Sequence, residues 1–461
     1  MRALKAGFVG FGEVNTPREF IEPRCATAAG WLKARGVGLT VADPVSDDPA
    51  GAQAARAAKQ LASGEWDVLV VCIAGWIPSW AVLRTIQDFR HKPMVLWGLS
   101  GWQDGGRFVT TADQAGSTAL RQPLAELGYT FTYVVGRMNA PPPVDQVITA
   151  IRAGAAAAAL RRATIGMAGY ADMRLYGTRY DAVSLKRDIG PEVEHFELLE
   201  AAQGMESIPA AEVEPLAAAV RTRWRFTREP APGTVEQSVR LFLAFRRIIE
   251  VRGYAAFSYN DVDGVKRLLH FAPAGALTLL HDELGIPSVP ENDVLGSVTQ
   301  LIMHLLTGQI AAYLEFYEFT RNGALMGVPD YVPSEIVDGP VTVMPNAFGS
   351  FGEGLLNVSR LKTGTVTLAR LCQVNGRYRL HALLAARVLD YEGLGGWCHT
   401  LTGTAAMIGA NALGESVERL HRAVERRDVA AVRTEADLAI RELRHVAVVL
   451  DHDFDLDDAN S

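Results

Sequence analysis

Short apolar runs alternate with amphipathic stretches along roughly the first 140 residues. The runs Ala6–Phe11, Gly38–Ala42, Val68–Ile73, Met94–Leu96 and Phe131–Val135 read as buried strands. Between them, Arg18–Arg35, Ala50–Ala62 and Gln114–Leu127 carry helical periodicity. Apolar strands separated by helices predict a parallel, doubly wound sheet. Ligands approach such sheets at the carboxyl ends of the strands, so the loops after Phe8, Ile73 and Trp97 are the expected contact points.

Pro141-Pro142-Pro143 interrupts this pattern, and the helical stretch Val144–Arg162 is expected to close the first domain. A second α/β region starts at Thr164. A turn at Gly190-Pro191 leads into a strand through Glu194, helices are expected at Ala210–Arg221 and Glu236–Arg252, and Tyr254–Tyr259 reads as a strand. A strand at Ile286–Val289 precedes a helix at Asp293–Leu306. After about residue 335 the pattern becomes β-rich. Gly364–Gln373 and Arg377–Val388 flank Asn375-Gly376, a hairpin signal. Helical periodicity returns from Thr404, and Asp451–Ser461 is an acidic tail expected to fray. The expected architecture is α/β with three parts: a doubly wound N-terminal domain (1–163), a central α/β domain (164–335), and a mainly antiparallel β domain with terminal helices (336–461). A length of 461 residues fits that division at about 150 residues per domain.

Composition narrows the function. Hydrophobic residues make up 49% and charged residues 21%, as in a folded globular chain. A formal net charge of -7 with no basic run argues against a nucleic-acid partner. The four cysteines, Cys25, Cys72, Cys372 and Cys398, form neither a CxxC pair nor a disulfide-scaffold spacing, which points to a reducing compartment without structural zinc. The opening residues lead straight into a strand without a signal-peptide pattern, and no apolar stretch is long enough to span a bilayer. A cytoplasmic protein without membrane partners is expected.

Gly7, Gly10 and Gly12 suggest a dinucleotide loop, but their spacing is GxxGxG and not GxGxxG. A tight first turn in a doubly wound sheet explains them better. The segment Pro290-Glu291-Asn292-Asp293 is more informative, because it places two carboxylates at a strand's carboxyl end just before a helix. Asp293 could cap that helix or orient Glu291. Glu315 and Glu318 follow the same helix, and carboxylates converging from separate elements suit a hard divalent cation. Trp76, which follows a strand end, and Trp80 read as half core and half pocket wall. Arg18 or Arg24, if near the pocket, would favour an acidic substrate. His270, His281 and His304 are read as structural.

These segments resemble the L-fucose/L-arabinose isomerase family. Pro290-Glu291-Asn292-Asp293-Val294-Leu295-Gly296-Ser297, then Leu306-Thr307-Gly308, then Glu315, are similar to its Glu-x-Asp-x-x-Gly segment, the following helix and the second metal carboxylate. The strand and loop 67–76, and Lys362-Thr363-Gly364-Thr365-Val366-Thr367-Leu368-Ala369-Arg370, are similar to further family segments. The chain departs from the family at Met326-Gly327-Val328-Pro329-Asp330, where a histidine motif is usual, and its C-terminal region is shorter. The resemblance implies an aldose–ketose isomerase with Mn2+ or another divalent cation, working by cis-enediol proton transfer. Glu291 and Glu315 would be metal ligands and one of them the proton shuttle. Trp76 and Arg18 would meet the substrate. His399 would be a third metal ligand or else a core histidine. A homotrimer or homohexamer is implied, with each pocket completed by a neighbour's first domain. Two alternatives stand beside this reading: another enzyme on the same scaffold, such as an isomerase of an anionic sugar, an epimerase or a lyase, and a non-catalytic sugar-binding protein.

Overall fold

The computed structural model describes residues 3–320, 323–327, 331–346 and 352–387. They form a mixed α/β structure with two compact units, the first made of the residues up to Arg162 together with Leu305–Gly308 and the second of the remaining described residues. Most of the expected 336–461 domain, including the helical tail and His399, lies outside the described residues.

The main sheet of the first unit has five strands: β1 (Lys5–Phe11), β2 (Gly38–Val41), β3 (Val68–Ile73), β4 (Met94–Gly98) and β5 (Phe131–Val135); a short antiparallel pair, Trp102–Asp104 with Arg107–Val109, stands apart from it. The five form one parallel sheet in the order β2-β1-β3-β4-β5. The connecting helices are α1 (Arg18–Ala34), α2 (Ala52–Ala62), α3 (Ser79–Ile86), α4 (Asp113–Glu126) and α5 (Val144–Arg162). Successive side chains of a strand point to opposite faces, so both faces of a doubly wound sheet must be apolar. Strand β3 shows this directly. Val68, Val70 and Cys72 pack with α1 and α5, whereas Leu69, Val71 and Ile73 pack with α2, α3 and α4. The doubly wound N-terminal fold expected from the periodicity is therefore present. Helix α3 is an addition to the sequence reading, which had assigned no helix between Ile73 and Met94.

The glycines of β1 and its following loop serve packing. A Cβ at Gly10 would overlap the Cys25 sulfur of α1, and one at Gly12 would overlap Ile21. These glycines let α1 lie close against β1, which accounts for the GxxGxG spacing without a phosphate.

The second unit repeats the idea with β6 (Thr164–Ala168), β7 (Glu192–Phe196), β8 (Ala256–Tyr259) and β9 (Ser288–Val289), all parallel, in the order β9-β8-β6-β7. Its helices are α6 (Ala182–Asp188), α7 (Leu198–Glu206), α8 (Ala210–Arg223), α9 (Thr234–Arg252), α10 (Ala274–Leu284) and α11 (Val294–Thr307). A π-helical turn, Asp261–Leu269, follows β8. Phe245, Phe257 and Tyr259 pack with tilted rings within one continuous core. Buried His281 lies inside α10, where its Nε2 donates to the Ser288 carbonyl at 2.9 Å. Tyr331 donates its hydroxyl to the same carbonyl at 3.1 Å.

Beyond α11 the sheets are mainly antiparallel. They comprise β10 (Glu315–Thr320) with β11 (Gly323–Gly327), β12 (Thr342–Asn346) with β13 (Gly354–Asn357), and the long hairpin β14 (Gly364–Val374) and β15 (Arg377–Arg387). One parallel partner, Arg225–Phe226, joins β12. Asn375 and Gly376, at φ 50° and 76°, form the two-residue turn that the sequence signal required. A lone hairpin is marginal in water. This one is fastened to the second unit by the Leu371 amide on the Thr299 hydroxyl (2.9 Å) and by Tyr378 and Gln373 on the Ser184 hydroxyl, each at 3.0 Å.

Two stability predictions follow from this packing. Gly10→Ala should cost about 1–3 kcal/mol through overpacking, whereas Gly30→Ala, in α1 with open space at its Cβ position, should be neutral or stabilising. Denaturant midpoints of the two variants check the contrast. Burial holds His281 at a pKa of about 4, below its ordinary 6.5. Between those values the unfolded chain binds the extra proton, so stability falls as pH drops through that window. The loss should reach roughly 3 kcal/mol by about pH 4, and His281→Gln should flatten this part of the profile in urea titrations.

Candidate active site in the second unit

Three adjacent parallel strands of the second unit each deliver an acid just past their carboxyl ends. Asp172 follows β6, Asp261 follows β8 and Glu291 follows β9. Strand order reverses between β6 and β8, the kind of switch point where α/β sheets bind ligands.

Asp172 is fully buried, and its carboxylate accepts the amides of Met173, Val262 and Asp263 at 2.7–2.9 Å. It thereby ties the loop after β6 to the start of the π-helical turn. Asp261, also buried, pairs with the buried ammonium of Lys266 at 3.2 Å. Its other oxygen accepts the Glu291 amide at 3.1 Å. Burial, partly offset by Lys266, pushes the Asp261 carboxyl up to about 7.

Glu291 and Asn292 both adopt left-handed backbone, at φ 63° and 50°. Non-glycine residues pay for this conformation, and it persists only where the surroundings impose it. Two restraints are visible. The Asp261 carboxylate holds the Glu291 amide, and the Asn292 amide group donates to the Ala168 and Tyr170 carbonyls at 3.0 and 2.8 Å. Half-buried Glu291 is pushed up to about 7, first by burial and then by the negative charges of Asp261, Glu315, Asp172 and Asp293. The fold thus brings Glu315, at the start of β10, within electrostatic reach of Glu291.

Asp293 resolves in favour of a structural role. It is buried, and its Oδ1 accepts the Gly296 amide at 2.9 Å, which caps α11. It also accepts the Tyr313 hydroxyl at 3.0 Å and a two-pronged contact from Arg370 of β14. The family-like strand Lys362–Arg370 therefore reaches the site through its last residue.

The other expected site residues fall elsewhere. Trp76 and Arg18 belong to the first unit. Trp76 is 38% exposed, and its carbonyl accepts the Glu13 amide at 2.7 Å, where the loops after β1 and β3 meet at the first sheet's own switch point. Arg18 is exposed and paired with Glu22 at 2.6 Å along α1. It lines a cleft of about 400 Å³ with Asp43, Gln53 and Arg56. His399 lies outside the described residues. His304 is bound to the Gln309 carbonyl at 3.3 Å.

No family model and no curated protein matches the chain. Among the described residues, no three His, Cys, Asp or Glu side chains are gathered as a metal-holding group. Sequence reading missed Asp172, Asp261 and Lys266, although both aspartates stand within four residues of an apolar strand's carboxyl end.

The strain at Glu291 is itself testable. Glu291→Gly should relieve both the left-handed backbone and the carboxylate repulsion, raising stability by about 1 kcal/mol in chelator. Thermal melting in EDTA checks this.

Proposed function

We propose that the chain is an aldose–ketose isomerase of the L-fucose isomerase type that works with a divalent cation, Mn2+ being the expected one. The observation that carries the reading is Glu291: a half-buried carboxylate in strained backbone, at a strand's carboxyl end, surrounded by acidic charge. Strain and perturbed acidity of this kind cluster at working sites.

The donor chemistry fits a hard cation. Glu291 and Glu315 would supply oxygen ligands, and the surplus negative charge around Glu291 is what a divalent ion would neutralise. His399, beyond the described residues, would be the third ligand. When bound, the ion would act as a Lewis acid toward the sugar's carbonyl.

The chain's own residues supply positioning and proton transfer. The Asp261 carboxylate fixes the Glu291 backbone through its amide, and Asn292 locks the same turn onto the loop after β6. Asp293, held by Arg370 and Tyr313, anchors the start of α11 directly behind it. Glu291 or Glu315 would take the proton from one carbon and return it to its neighbour. The expected sharing of each pocket between subunits, in a homotrimer or homohexamer, belongs to the same proposal.

Glu291→Gln and Glu315→Gln keep side-chain shape while each removes one negative charge. Both should purify with less Mn2+ than the parent, and aldose-to-ketose turnover should fall at least about 100-fold. Metal analysis beside a ketose assay reads both quantities. A metal-loaded, active Glu291→Gln protein would overturn the assignment.

A further inference from the structure

Two buried thiols meet inside the first unit, and the isomerase reading uses neither. Cys25 lies on the buried face of α1 at 3% exposure, and Cys72 lies in β3 at 0%. Both are free cysteines. The sheet register explains why they meet. Gly10 of β1 is the parallel-strand partner of Cys72, and neighbouring strands stand about 4.8 Å apart. Cys72 packs on the α1 side of the sheet. On that side the Cys25 sulfur occupies the space that a Cβ at Gly10 would fill. The glycine thus leaves a gap beside the Cys72 side chain, and α1 puts a thiol into it. Cys72 keeps its proton and donates it to the Cys25 sulfur; this bond, and then burial, push the Cys72 thiol well above its ordinary pKa.

A single buried cysteine behaves as a small apolar side chain. Two in contact differ, because an oxidised sulfur on one finds an attacking sulfur already in place. Cys25 is the one an oxidant meets first. It is among the residues bordering the Arg18 cleft, whereas Cys72 has no exposed surface. Hydrogen peroxide is hardly larger than water and needs only a small local opening to reach it.

We propose that Cys25 and Cys72 form a redox pair that a peroxide converts into a disulfide joining α1 to β3. The Cys25 thiolate, its proton lost to water, attacks one peroxide oxygen. The O–O bond breaks, leaving a sulfenic acid on Cys25 and a hydroxide that takes up a proton to become water. The Cys72 sulfur then attacks the Cys25 sulfur. An S–S bond forms as the S–O bond breaks, and the Cys72 proton leaves with the departing hydroxide as a second water. Two thiols are oxidised and one peroxide is reduced. The bond ties the helix that carries Arg18 to the strand that leads into the Trp76 loop. It lies within the first unit and does not depend on the isomerase reading.

The test is hydrogen peroxide treatment of the full native chain, then alkylation, digestion without reductant and peptide mapping. A Cys25–Cys72 linked peptide should form and should disappear with dithiothreitol. It should exceed any other pairing by at least about tenfold, because the fold holds these two thiols together. In urea the same treatment should lose that preference among the four cysteines. The urea midpoint should be higher for oxidised than for reduced protein, since a cross-link restricts the unfolded chain, and the difference should vanish in Cys25→Ser. The mapping needs no variant and stands even if Cys25→Ser fails to fold. Four results would each overturn the proposal: both thiols still free once half-buried Cys372 has been oxidised, sulfinic or sulfonic acid at Cys25 without linkage, linkage that appears only in urea, or an oxidised midpoint no higher than the reduced one.

Discussion

The buried ion pair between Asp261 and Lys266 is the interaction on which the second unit's site depends. A buried carboxylate without a counter-charge would take up a proton or force the chain to rearrange. With Lys266 beside one oxygen, the other is free to accept the Glu291 amide, and that bond helps hold Glu291 in left-handed backbone. Asp172 supports the arrangement by accepting the Val262 and Asp263 amides at the start of the π-helical turn that carries both members of the pair, and the Met173 amide of its own loop. An irregular helical turn at this point is consistent with a backbone shaped for its side chains, since π-type turns concentrate at functional sites.

The two units use one strand order for different ends. Each sheet runs second, first, third, fourth strand, so each has a switch point between its first and third strands. In the first unit the glycines at β1 bring α1 close, the loops after β1 and β3 are joined by the Glu13–Trp76 backbone bond, and the cavities are walled by aromatic and arginine side chains. In the second unit the same edge carries carboxylates. Acids can accumulate there because backbone amides, Lys266 and Arg370 answer most of the charge. Glu291 instead has its pKa pushed up to about 7, first by burial and then by the acidic charge around it.

The β14–β15 hairpin shows how a distant segment completes the site without contributing an acid. Its pairing runs unbroken from Gly364↔Arg387 to Val374↔Arg377, so the position of Arg370 is fixed by register. The guanidinium then meets Asp293 in fork geometry suited to a carboxylate. The hairpin gains an anchor it needs, since two strands alone are marginal, and the cap of α11 gains a counter-charge.

Much of this was legible in the sequence, for a definite reason. Strand and helix periods of 2 and 3.6 residues are local, so the five strands of the first sheet, the Asn375-Gly376 turn and the helix after Asp293 could all be read from neighbouring residues. Glu291 could be placed at a strand end by the same means, and Gly7, Gly10 and Gly12 could be recognised as an imperfect dinucleotide pattern. Other features depend on groups far apart in the chain. Asp261 meets the Glu291 amide across 30 positions, and Arg370 meets Asp293 across 77. No periodicity reports such meetings, because they are set by which strands become neighbours in the sheet. The left-handed backbone at Glu291 was hidden for a related reason: asparagine tolerates that conformation but glutamate does not, and tertiary hydrogen bonds hold it, from the Glu291 amide to Asp261 and from the Asn292 side chain to the loop after β6.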